Sequence, residues 1–407
     1  MIQELINRYK RMRTERFLCQ TYQYQYAFVG MGQHSLTNLY PVLHYLGVPL
    51  KYICVTSERK AKLIERKYPS VKATTSLDEI LNDEAIKGVF VSASPSAHFS
   101  IASRVLQSGK SLFIEKPPCQ TLEELDTLIA LQQQFGSLVA MVGLQKRYAP
   151  AVQLLKQRLH KERAEQREPS SLLGWPSRDG RRQSRRLISY DLHYLTGAYP
   201  EGNALLDLYI HPLDLVCFLF GQPEILACRQ VTKDSYILML QHPHIVGTLE
   251  LSTAYPWTTA EESLKVCTHS GIYRLSQMEE LTFTPTSSTI FGIPMEKLRP
   301  RHETQIIAKR LPPIGTQVIA KRLPPIGTQE LLFLRNNFTP ILANNQIFTQ
   351  GYFHEIAAFV EATESRHSDT LTPLSSLKTI YETILKIQTV TESSGNIRRK
   401  PSLSQSS

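Results

Sequence analysis

Two short segments of the chain carry side chains that could move a proton. Glu115-Lys116-Pro117-Pro118 follows a run of strand-forming residues, and proline fixes the backbone beside a lysine that could donate a proton or hydrogen bond to a substrate oxygen. Asp207 and His211 stand four residues apart, so one helix face would hold both, where they could orient and protonate a hydroxyl group. Taken alone, a surface Lys-Pro turn, a capping aspartate and a core histidine explain the same residues.

A third segment could bind a phosphate group. The turn Gly30-Met31-Gly32-Gln33-His34-Ser35 follows an apolar run over residues 26–30, and its two glycines permit a pyrophosphate to approach a helix N-terminus. Ser35 stands where such turns usually carry a third glycine or alanine. Gly-x-Gly also occurs in structural loops, so the evidence lies in its position between a first strand and a helix over residues 36–46.

Strands and helices alternate along the first third of the chain. The pattern predicts strands at 26–30, 50–55, 88–92, 111–114 and 138–143, and helices at 36–46, 58–67, 77–81, 98–108 and 123–135. This alternation predicts an α/β domain with a doubly wound parallel sheet, whose strands end at a common ligand-binding edge. The Gly30 turn and Lys116 both follow strands, so we expect both at that edge.

The character of the sequence changes near residues 147–150. We predict an N-terminal extension (1–25), a Rossmann dinucleotide-binding domain (26–146), an α+β substrate and oligomerisation domain (147–392) and a disordered tail (393–407). In the second domain the sequence indicates a helix from about 150 to 160, a helix over 204–220, a strand-rich stretch over 224–283, and helices over 351–364 and 374–391. Residues 306–317 recur as 318–329 with one change, which indicates a duplication in a surface loop.

Composition narrows the classes of partner. The net charge of +10 is concentrated around residues 8–16, in a basic segment at 156–187 and at 398–400, with no zinc-finger or RNA-recognition pattern, so we do not expect nucleic acid as a partner. The six cysteines show no metal-ligand spacing, which predicts reduced thiols, no bound metal and a cytoplasmic location. The sequence lacks an 18-residue apolar run, so we expect no membrane span.

The residues after the second predicted strand bear on cofactor choice. Thr56 stands where NAD-preferring proteins carry an acidic residue that binds the ribose hydroxyls. Ser57, Arg59 and Lys60 follow, and they could supply hydroxyl and cationic partners for a 2′-phosphate. NADP is therefore favoured over NAD, although exposed charges at a helix start would look the same.

In their order and spacing, these motifs resemble the Gfo/Idh/MocA family of oxidoreductases, of the glucose-fructose oxidoreductase and inositol dehydrogenase type. The resemblance covers roughly residues 26–230. Its motifs in chain order are Gly30-Met31-Gly32, Ser94-Pro95-Ser96-Ala97-His98, Gly109-Lys110, Glu115-Lys116-Pro117, Lys146-Arg147-Tyr148-Ala149-Pro150, and Gly202-Asn203-Ala204-Leu205-Leu206-Asp207 with His211 and Asp214.

The resemblance implies an NAD(P)-dependent enzyme that transfers a hydride between nicotinamide and a sugar, inositol or related polyol. It implies that Lys116 contacts the reacting oxygen, that His211 is the general acid/base, and that Asp207 binds an adjacent hydroxyl or orients the other groups. It also implies a large open sheet in the second domain and a homo-oligomer, either a dimer or a tetramer. The residues expected at the cofactor are Gly30, Met31, Gly32, Gln33, His34, Ser35, Thr56, Ser57, Arg59, Ser94, Pro95, His98, Glu115 and Lys116.

Two departures from the family pattern and two other functions stay open at this point. The basic stretch 161–186 could recognise a phosphorylated or nucleotide-linked sugar through Arg181, Arg182, Arg185 and Arg186, and the duplication lengthens a later loop. A related fold could instead reduce an imine or a linear tetrapyrrole, but such relatives often lack the Asp/His pair. A regulatory protein that binds NADP without turnover is the other alternative.

Overall fold

The structure is a computed structural model, and it describes most of the chain in segments. The described residues are 4, 8, 12, 22–136, 138–164, 187–198, 202–286, 288–290, 293–295, 329–336, 342, 345–367 and 370–396. Arg181, Arg182, Arg185 and Arg186 of the basic segment, residues 306–328 of the duplication and the tail after residue 396 lie outside them. The chain forms two compact units, Met1–Gly143 with Tyr352–Ser376, and Leu144–Gly351 with Leu377–Ser407.

A parallel sheet forms the centre of the first unit. Its six strands are β1 (Gln25–Val29), β2 (Leu50–Cys54), β3 (Lys72–Thr74), β4 (Ile86–Val91), β5 (Ser111–Glu115) and β6 (Ala140–Gly143). Their order is β3-β2-β1-β4-β5-β6, and every neighbouring pair is parallel. The winding reverses between β1 and β4, which confirms the predicted doubly wound sheet and places the topological switch after these two strands.

The helices between these strands follow the predicted order. They are α1 (Tyr40–Leu46), preceded by a π-helical turn at Ser35–Leu39, α2 (Glu58–Lys67), α3 (Leu77–Leu81), α4 (Pro95–Gln107) and α5 (Leu122–Gln134). Gly47 ends α1 in the left-handed conformation, and Thr121 caps α5 by accepting a hydrogen bond from the Glu124 N–H.

A cluster of aromatic rings holds the first unit together. Phe28, Phe90 and Phe113 are fully buried on three adjacent strands, and the Phe90 ring centroid lies 5.6 Å from that of Phe113. Phe359, far along the chain, places its ring 5.0 Å from Phe90 and 5.8 Å from Phe113. Burial of each ring contributes about 1.5–3 kcal/mol of transfer free energy.

This contact corrects one part of the sequence-based division. The sequence pattern assigns residues 352–376 to the second domain, but the structure places them in the first unit. The helix there, predicted at 351–364, runs from Tyr352 to Ser365, and its buried Ile356, Phe359 and Val360 cover the parallel sheet. An apolar helix face packs wherever it buries most area, so its place in the sequence did not decide its unit.

The second unit contains a large sheet that is mostly antiparallel, as predicted. Its strands are β7 (Leu187–Leu195), β8 (Glu224–Thr232), β9 (Ser235–His242), β10 (Ile245–Ser252), β11 (Glu261–Thr268), β12 (Gly271–Ser276), β13 (Glu280–Pro285) and β16 (Glu330–Leu334), while β14 (Ser288–Ile290) and β15 (Ile293–Met295) form a separate hairpin. The order is β16-β13-β12-β11-β7-β10-β9-β8, and β7 and β10 form its parallel pair.

The helices of the second unit are α6 (Pro150–Ala164), α7 (Ala204–Asp207), α8 (Ile210–Phe220), α9 (Gln346–Thr349) and α11 (Lys378–Asn396), and α10 is the helix Tyr352–Ser365 of the first unit. Helix α11 extends beyond residue 393, where the sequence predicts a disordered tail to begin. Within the described residues, none of these helices is both long and apolar enough to cross a membrane.

Two sequence-based expectations about the second unit were wrong. The sequence pattern indicates no strand between residues 160 and 204, but β7 lies there and occupies the middle of the sheet between β11 and β10. The expected single helix over 204–220 is two helices, because Pro212 cannot donate the backbone hydrogen bond that would continue the turn at Leu208. The His211 N–H instead bonds the Leu208 carbonyl at 3.3 Å, which tightens the chain between α7 and α8.

Candidate active site

In the first unit, four loops leave the sheet at the carboxyl ends of β1, β2, β4 and β5. These loops contain the Gly30 turn, residues 56–59, residues 92–98 and Lys116. Parallel strands end at the same edge, so the fold itself brings these predicted residues to one side of the sheet. The geometry of each loop shows which residues the fold needs and which it leaves for a ligand.

The two glycines of the first loop serve different purposes. Gly30 has φ +91°, and a Cβ added to it would lie 2.2 Å from the Ser92 carbonyl oxygen. Its N–H donates to the Cys54 carbonyl at 2.9 Å, so β1, β2 and β4 converge on this residue and exclude a side chain. A Cβ added to Gly32 would meet no described atom within 4 Å. The fold therefore requires Gly30, whereas Gly32 keeps an approach to the backbone open.

The other residues of this turn are divided between the core and the surface. Met31 is buried, Gln33 is exposed, and Ser35 is fully buried. The Ser35 hydroxyl donates to Ser92 Oγ at 3.0 Å, so this third position of the motif joins the start of the helix to the loop after β4. Ser35 thus does the packing that a glycine or alanine usually does there.

His34 links this turn to the end of β5. Its Nε2 lies 3.2 Å from Glu115 Oε1, and its Nδ1 lies 3.0 Å from Asn38 Nδ2. When His34 is neutral, the Asn38 amide donates to Nδ1, so Nε2 carries the proton and donates to the Glu115 carboxylate. Burial lowers the pKa of His34, but the hydrogen bond and the charge of Glu115 outweigh burial and raise it overall.

Glu115 is a buried carboxylate at the end of β5. A Cβ on Gly143 would lie 3.0 Å from its carboxylate atoms, so only glycine leaves room for the charged group there. Burial raises the pKa of Glu115, but His34, Lys116 and His98 together lower it below its usual value. Glu115 is therefore an anion held beside Lys116, whose own side chain is half-buried and whose peptide bond to Pro117 is cis.

His98 connects the loops after β4 and β5. Its Nδ1 lies 2.7 Å from the Pro117 carbonyl oxygen and its Nε2 lies 3.1 Å from the Ala93 carbonyl oxygen. The ring is buried, and burial lowers the pKa of His98 although both carbonyls act in the opposite direction. His98 therefore positions the backbone that follows Lys116.

The remaining predicted cofactor residues are exposed at two helix starts. Thr56, Ser57 and Arg59 are exposed at the N-terminus of α2. Within the described residues of that helix, the Ser57 side chain accepts no hydrogen bond from a backbone N–H of the first turn. Ser94 is exposed and Pro95 occupies the first turn of α4. Both helix starts thus present backbone N–H groups at the edge of the sheet, where anions bind favourably.

Asp207 and His211 belong to the second unit. Asp207 is buried, and its Oδ2 accepts a hydrogen bond from the Asn203 N–H at 2.8 Å. A Cβ on Gly202, which has φ +83°, would lie 2.0 Å from the same oxygen. Asn203 in turn accepts from the Leu205 N–H, so Asp207 helps to cap the helix that contains it. His211 is buried in the first turn of α8.

A buried ion pair supports α8 from the chain before α6. Arg147 Nε lies 3.0 Å from both carboxylate oxygens of Asp214, and a second guanidinium nitrogen also bonds this carboxylate. Burial lowers the pKa of Arg147, but Asp214 outweighs burial and raises it. Next to it, Lys156 lies 3.3 Å from the Phe218 ring centroid, and burial lowers the pKa of this lysine to about 8.

Sequence reasoning missed the partners that hold the predicted residues in place. Ser92 holds the Gly30 turn through Ser35, Asn38 holds His34, and Gly143 leaves room for Glu115. The ring of Tyr352 also lies 5.8 Å from the His34 ring. Asn38 could have been found, since it lies one helical turn after His34. No local pattern could predict the contact of Tyr352 with His34, because Tyr352 belongs to helix α10, which is distant in sequence.

Comparison with known proteins finds a family match within the first unit. The Gfo/Idh/MocA family, described as an oxidoreductase family with an NAD-binding Rossmann fold, matches residues 24–144. The uncharacterized oxidoreductase YhhX of Escherichia coli is 26% identical over 209 residues, which are 49% of this chain and 54% of that protein. Inositol 2-dehydrogenase of Salmonella paratyphi B is 24% identical over 226 residues, 54% of this chain and 62% of that protein. The chain thus spans little more than half the length of these relatives.

Similarity of fold extends over both units. A dehydrogenase from Chromobacterium violaceum superposes with a TM-score of 0.68 at 18% sequence identity, covering 93% of this chain and 98% of that structure. At this level of identity, the match shows that the two proteins share a fold.

Proposed function

Because residues 24–144 match the Gfo/Idh/MocA oxidoreductase family, we propose that this chain is an NAD(P)-dependent oxidoreductase that acts on an alcohol carbon of a sugar, inositol or related polyol. The observation that carries the proposal is the open approach at Gly32. The fold uses Gly30 for itself, but nothing described fills the space in front of Gly32, at the switch point of a doubly wound sheet. That is where dinucleotides bind such sheets.

The residues present at this edge fit a dinucleotide. The N–H groups around Gly32 and at the start of the following helix would hold the pyrophosphate. Residues after β2 would hold the adenosine ribose, and those after β4 and β5 would lie on the nicotinamide side. A bound nicotinamide would supply the acceptor or donor of the hydride, which this chain's side chains cannot supply.

Three side chains are proposed for the reacting alcohol. In the first unit, Lys116 follows Glu115, whose pKa it helps to lower, and its ammonium can donate a hydrogen bond to the reacting oxygen. In the second unit, His211 would take the hydroxyl proton during oxidation and return it during reduction. Asp207 would position the backbone before His211 through its bond to Asn203, and bind a neighbouring hydroxyl group.

NADP is the cofactor we propose over NAD. Thr56 brings no carboxylate to repel a 2′-phosphate, and Ser57 and Arg59 are exposed at the start of α2. The uncapped helix N-terminus adds a favourable dipole for an anion. Retention of the Asp207 and His211 pair favours alcohol chemistry over imine or tetrapyrrole reduction. An inositol or a simple sugar is the proposed substrate, since inositol 2-dehydrogenase is among the relatives of this chain.

Replacement of Gly32 by valine tests the cofactor site directly. Gly32→Val should weaken NADPH binding by at least about thirtyfold, because its methyl groups would fill the approach to the backbone. Its unfolding free energy should stay within about 0.5 kcal/mol of wild type, since no described atom opposes the new side chain. Titration of nicotinamide fluorescence with NADPH and with NADH measures the affinities, and urea unfolding measures the stability.

Two further variants complete this titration. Gly136→Val, at another glycine of the first unit with open space, should bind NADPH as wild type does. Arg59→Ala should lower affinity for NADPH and leave affinity for NADH unchanged if the cation faces the 2′-phosphate. Equal NADPH binding by Gly32→Val and wild type would exclude this site, and absence of binding by wild type would exclude the enzyme function.

A homo-oligomer formed through the large sheet is also proposed. Ile237 and Met239 on β9 are 50% and 41% exposed, and their neighbours Glu250 and Thr248 on β10 belong to the same uncovered face. Met239→Glu should shift sedimentation from the oligomer to the monomer by placing a second carboxylate near Glu250 on this face. Leu63→Glu, at an exposed leucine of α2, is the control and should leave the mass unchanged. Wild type that sediments as a monomer at micromolar concentration would refute the oligomer.

A further inference from the structure

The contact between His34 and Glu115 joins two parts of the proposed cofactor site. His34 belongs to the turn that would hold the pyrophosphate, and Glu115 immediately precedes Lys116. If a dinucleotide lies across this edge as proposed above, the pair lies on the side of the nicotinamide, beyond the switch point from the adenosine. Any role of the pair towards the nicotinamide therefore rests on the proposed function.

The two members of the pair differ in their access to protons. The side chain of His34 is 41% exposed, whereas that of Glu115 is 8% exposed and confined against Gly143. The other charged or titratable groups that face the pair are Lys116 and His98, near the carboxylate, and Tyr352 from α10. Within the described residues, His34 is therefore the member of the pair that can exchange a proton with solvent near neutral pH.

Protonation of His34 changes the net charge of the pair. With His34 neutral, the pair carries one negative charge, and with His34 protonated it carries none. Oxidised nicotinamide is a cation and reduced nicotinamide is neutral, while the rest of the two dinucleotides is the same. When His34 is neutral, the negative charge of the pair attracts the oxidised ring more than the reduced ring. When His34 is protonated, the pair has no net charge and this difference is lost.

We propose that His34 and Glu115 form a charge-compensating pair that sets the preference of this protein for oxidised over reduced dinucleotide according to the protonation of His34. His34 is thus a specificity-determining residue that acts on the redox state of the cofactor. Binding of the oxidised form favours neutral His34 and releases a proton, whereas binding of the reduced form does not.

The electrostatics of the pair agree with this inference. The hydrogen bond and the charge of Glu115 raise the pKa of His34 above its usual value, although burial acts in the opposite direction. Below that pKa the imidazolium compensates Glu115, and above it the carboxylate acts alone. Relative affinity for NADP⁺ over NADPH should therefore increase as the pH rises through the pKa of His34.

Equilibrium binding of NADP⁺ and NADPH between about pH 5.5 and pH 9 tests the inference without any turnover. In wild type, the ratio of the two dissociation constants should change in favour of NADP⁺ by about fivefold, which a pKa difference of roughly 0.7 between the two complexes produces. His34→Gln keeps a donor to Glu115 but cannot titrate, so its ratio should stay constant with pH. His44→Gln, at an exposed histidine of α1, should behave like wild type.

The possible outcomes separate the role of His34 from the cofactor site itself. A constant ratio in wild type, or a wild-type dependence in His34→Gln, would refute the role of His34 and leave the cofactor site intact. Failure of wild type to bind either nucleotide at any pH would refute the proposed function itself. Should His34→Gln not fold, calorimetry of wild type in buffers of different ionisation enthalpy still decides: NADP⁺ binding must release more protons than NADPH binding, and equal release would overturn the inference.

Discussion

Replacement of Lys116 by methionine should lower kcat/KM for oxidation of a polyol by about a thousandfold while NADPH affinity changes by less than about threefold. Methionine keeps most of the length of the side chain and removes the ammonium group, so the loss reports the hydrogen bond and charge at the reacting oxygen. Steady-state kinetics with myo-inositol, and then with a panel of simple sugars, measures the loss.

A control variant at another lysine and a double variant test whether the loss of activity is specific to Lys116. Lys87→Met, at an exposed lysine on β4, should retain wild-type activity. His211→Asn should reduce activity by a similar factor and remove the pH dependence that a general acid/base imposes. If Lys116 and His211 serve the same step, the double variant should be little worse than either single one. Full activity of Lys116→Met on every polyol that wild type accepts would exclude its catalytic role.

The second large effect is expected on stability, at the ion pair of the second unit. Arg147→Met should reduce the unfolding free energy of that unit by about 3–5 kcal/mol, because Asp214 is 1% exposed and would remain buried without its cation. Trp257 lies in the described part of the second unit, so the change in its fluorescence during urea unfolding follows the relevant transition.

Two controls separate charge burial from loss of packing. The double variant Arg147→Met/Asp214→Leu should recover most of the lost stability, because it leaves no unpaired charge. Arg104→Met removes the cation from the exposed pair with Asp78 and should cost less than about 1 kcal/mol, since solvent screens this pair. If Arg147→Met reduced the unfolding free energy by less than about 1 kcal/mol, the pair would not stabilise α8.

The contrast between Gly30 and Gly32 shows how structure sharpens a sequence motif. The motif predicts a phosphate-binding turn but treats its glycines alike. The space around each residue distinguishes them, because the Ser92 carbonyl excludes any side chain at Gly30 and no described atom excludes one at Gly32. The part of the motif that fits a ligand could therefore be located only after β4 was placed beside β1.

The sequence by itself determined the features that arise from neighbouring residues. Alternating apolar runs and helical periodicity predicted the parallel sheet and its helices, and the positions of Gly30 and Lys116 after strands predicted their common edge. These signals are local, since a strand, a turn and a helix each depend on a few consecutive side chains.

Only the tertiary structure decided the contacts between distant residues. His34 and Glu115 are 81 residues apart, and Arg147 and Asp214 are 67 apart, so no local pattern could pair them. The place of β7 in the sheet and the packing of α10 on the first unit were decided in the same way. The sequence shows that an apolar helix face must be buried and that a buried charge needs a partner. Which residues cover that face or pair with that charge is decided only by the folded chain.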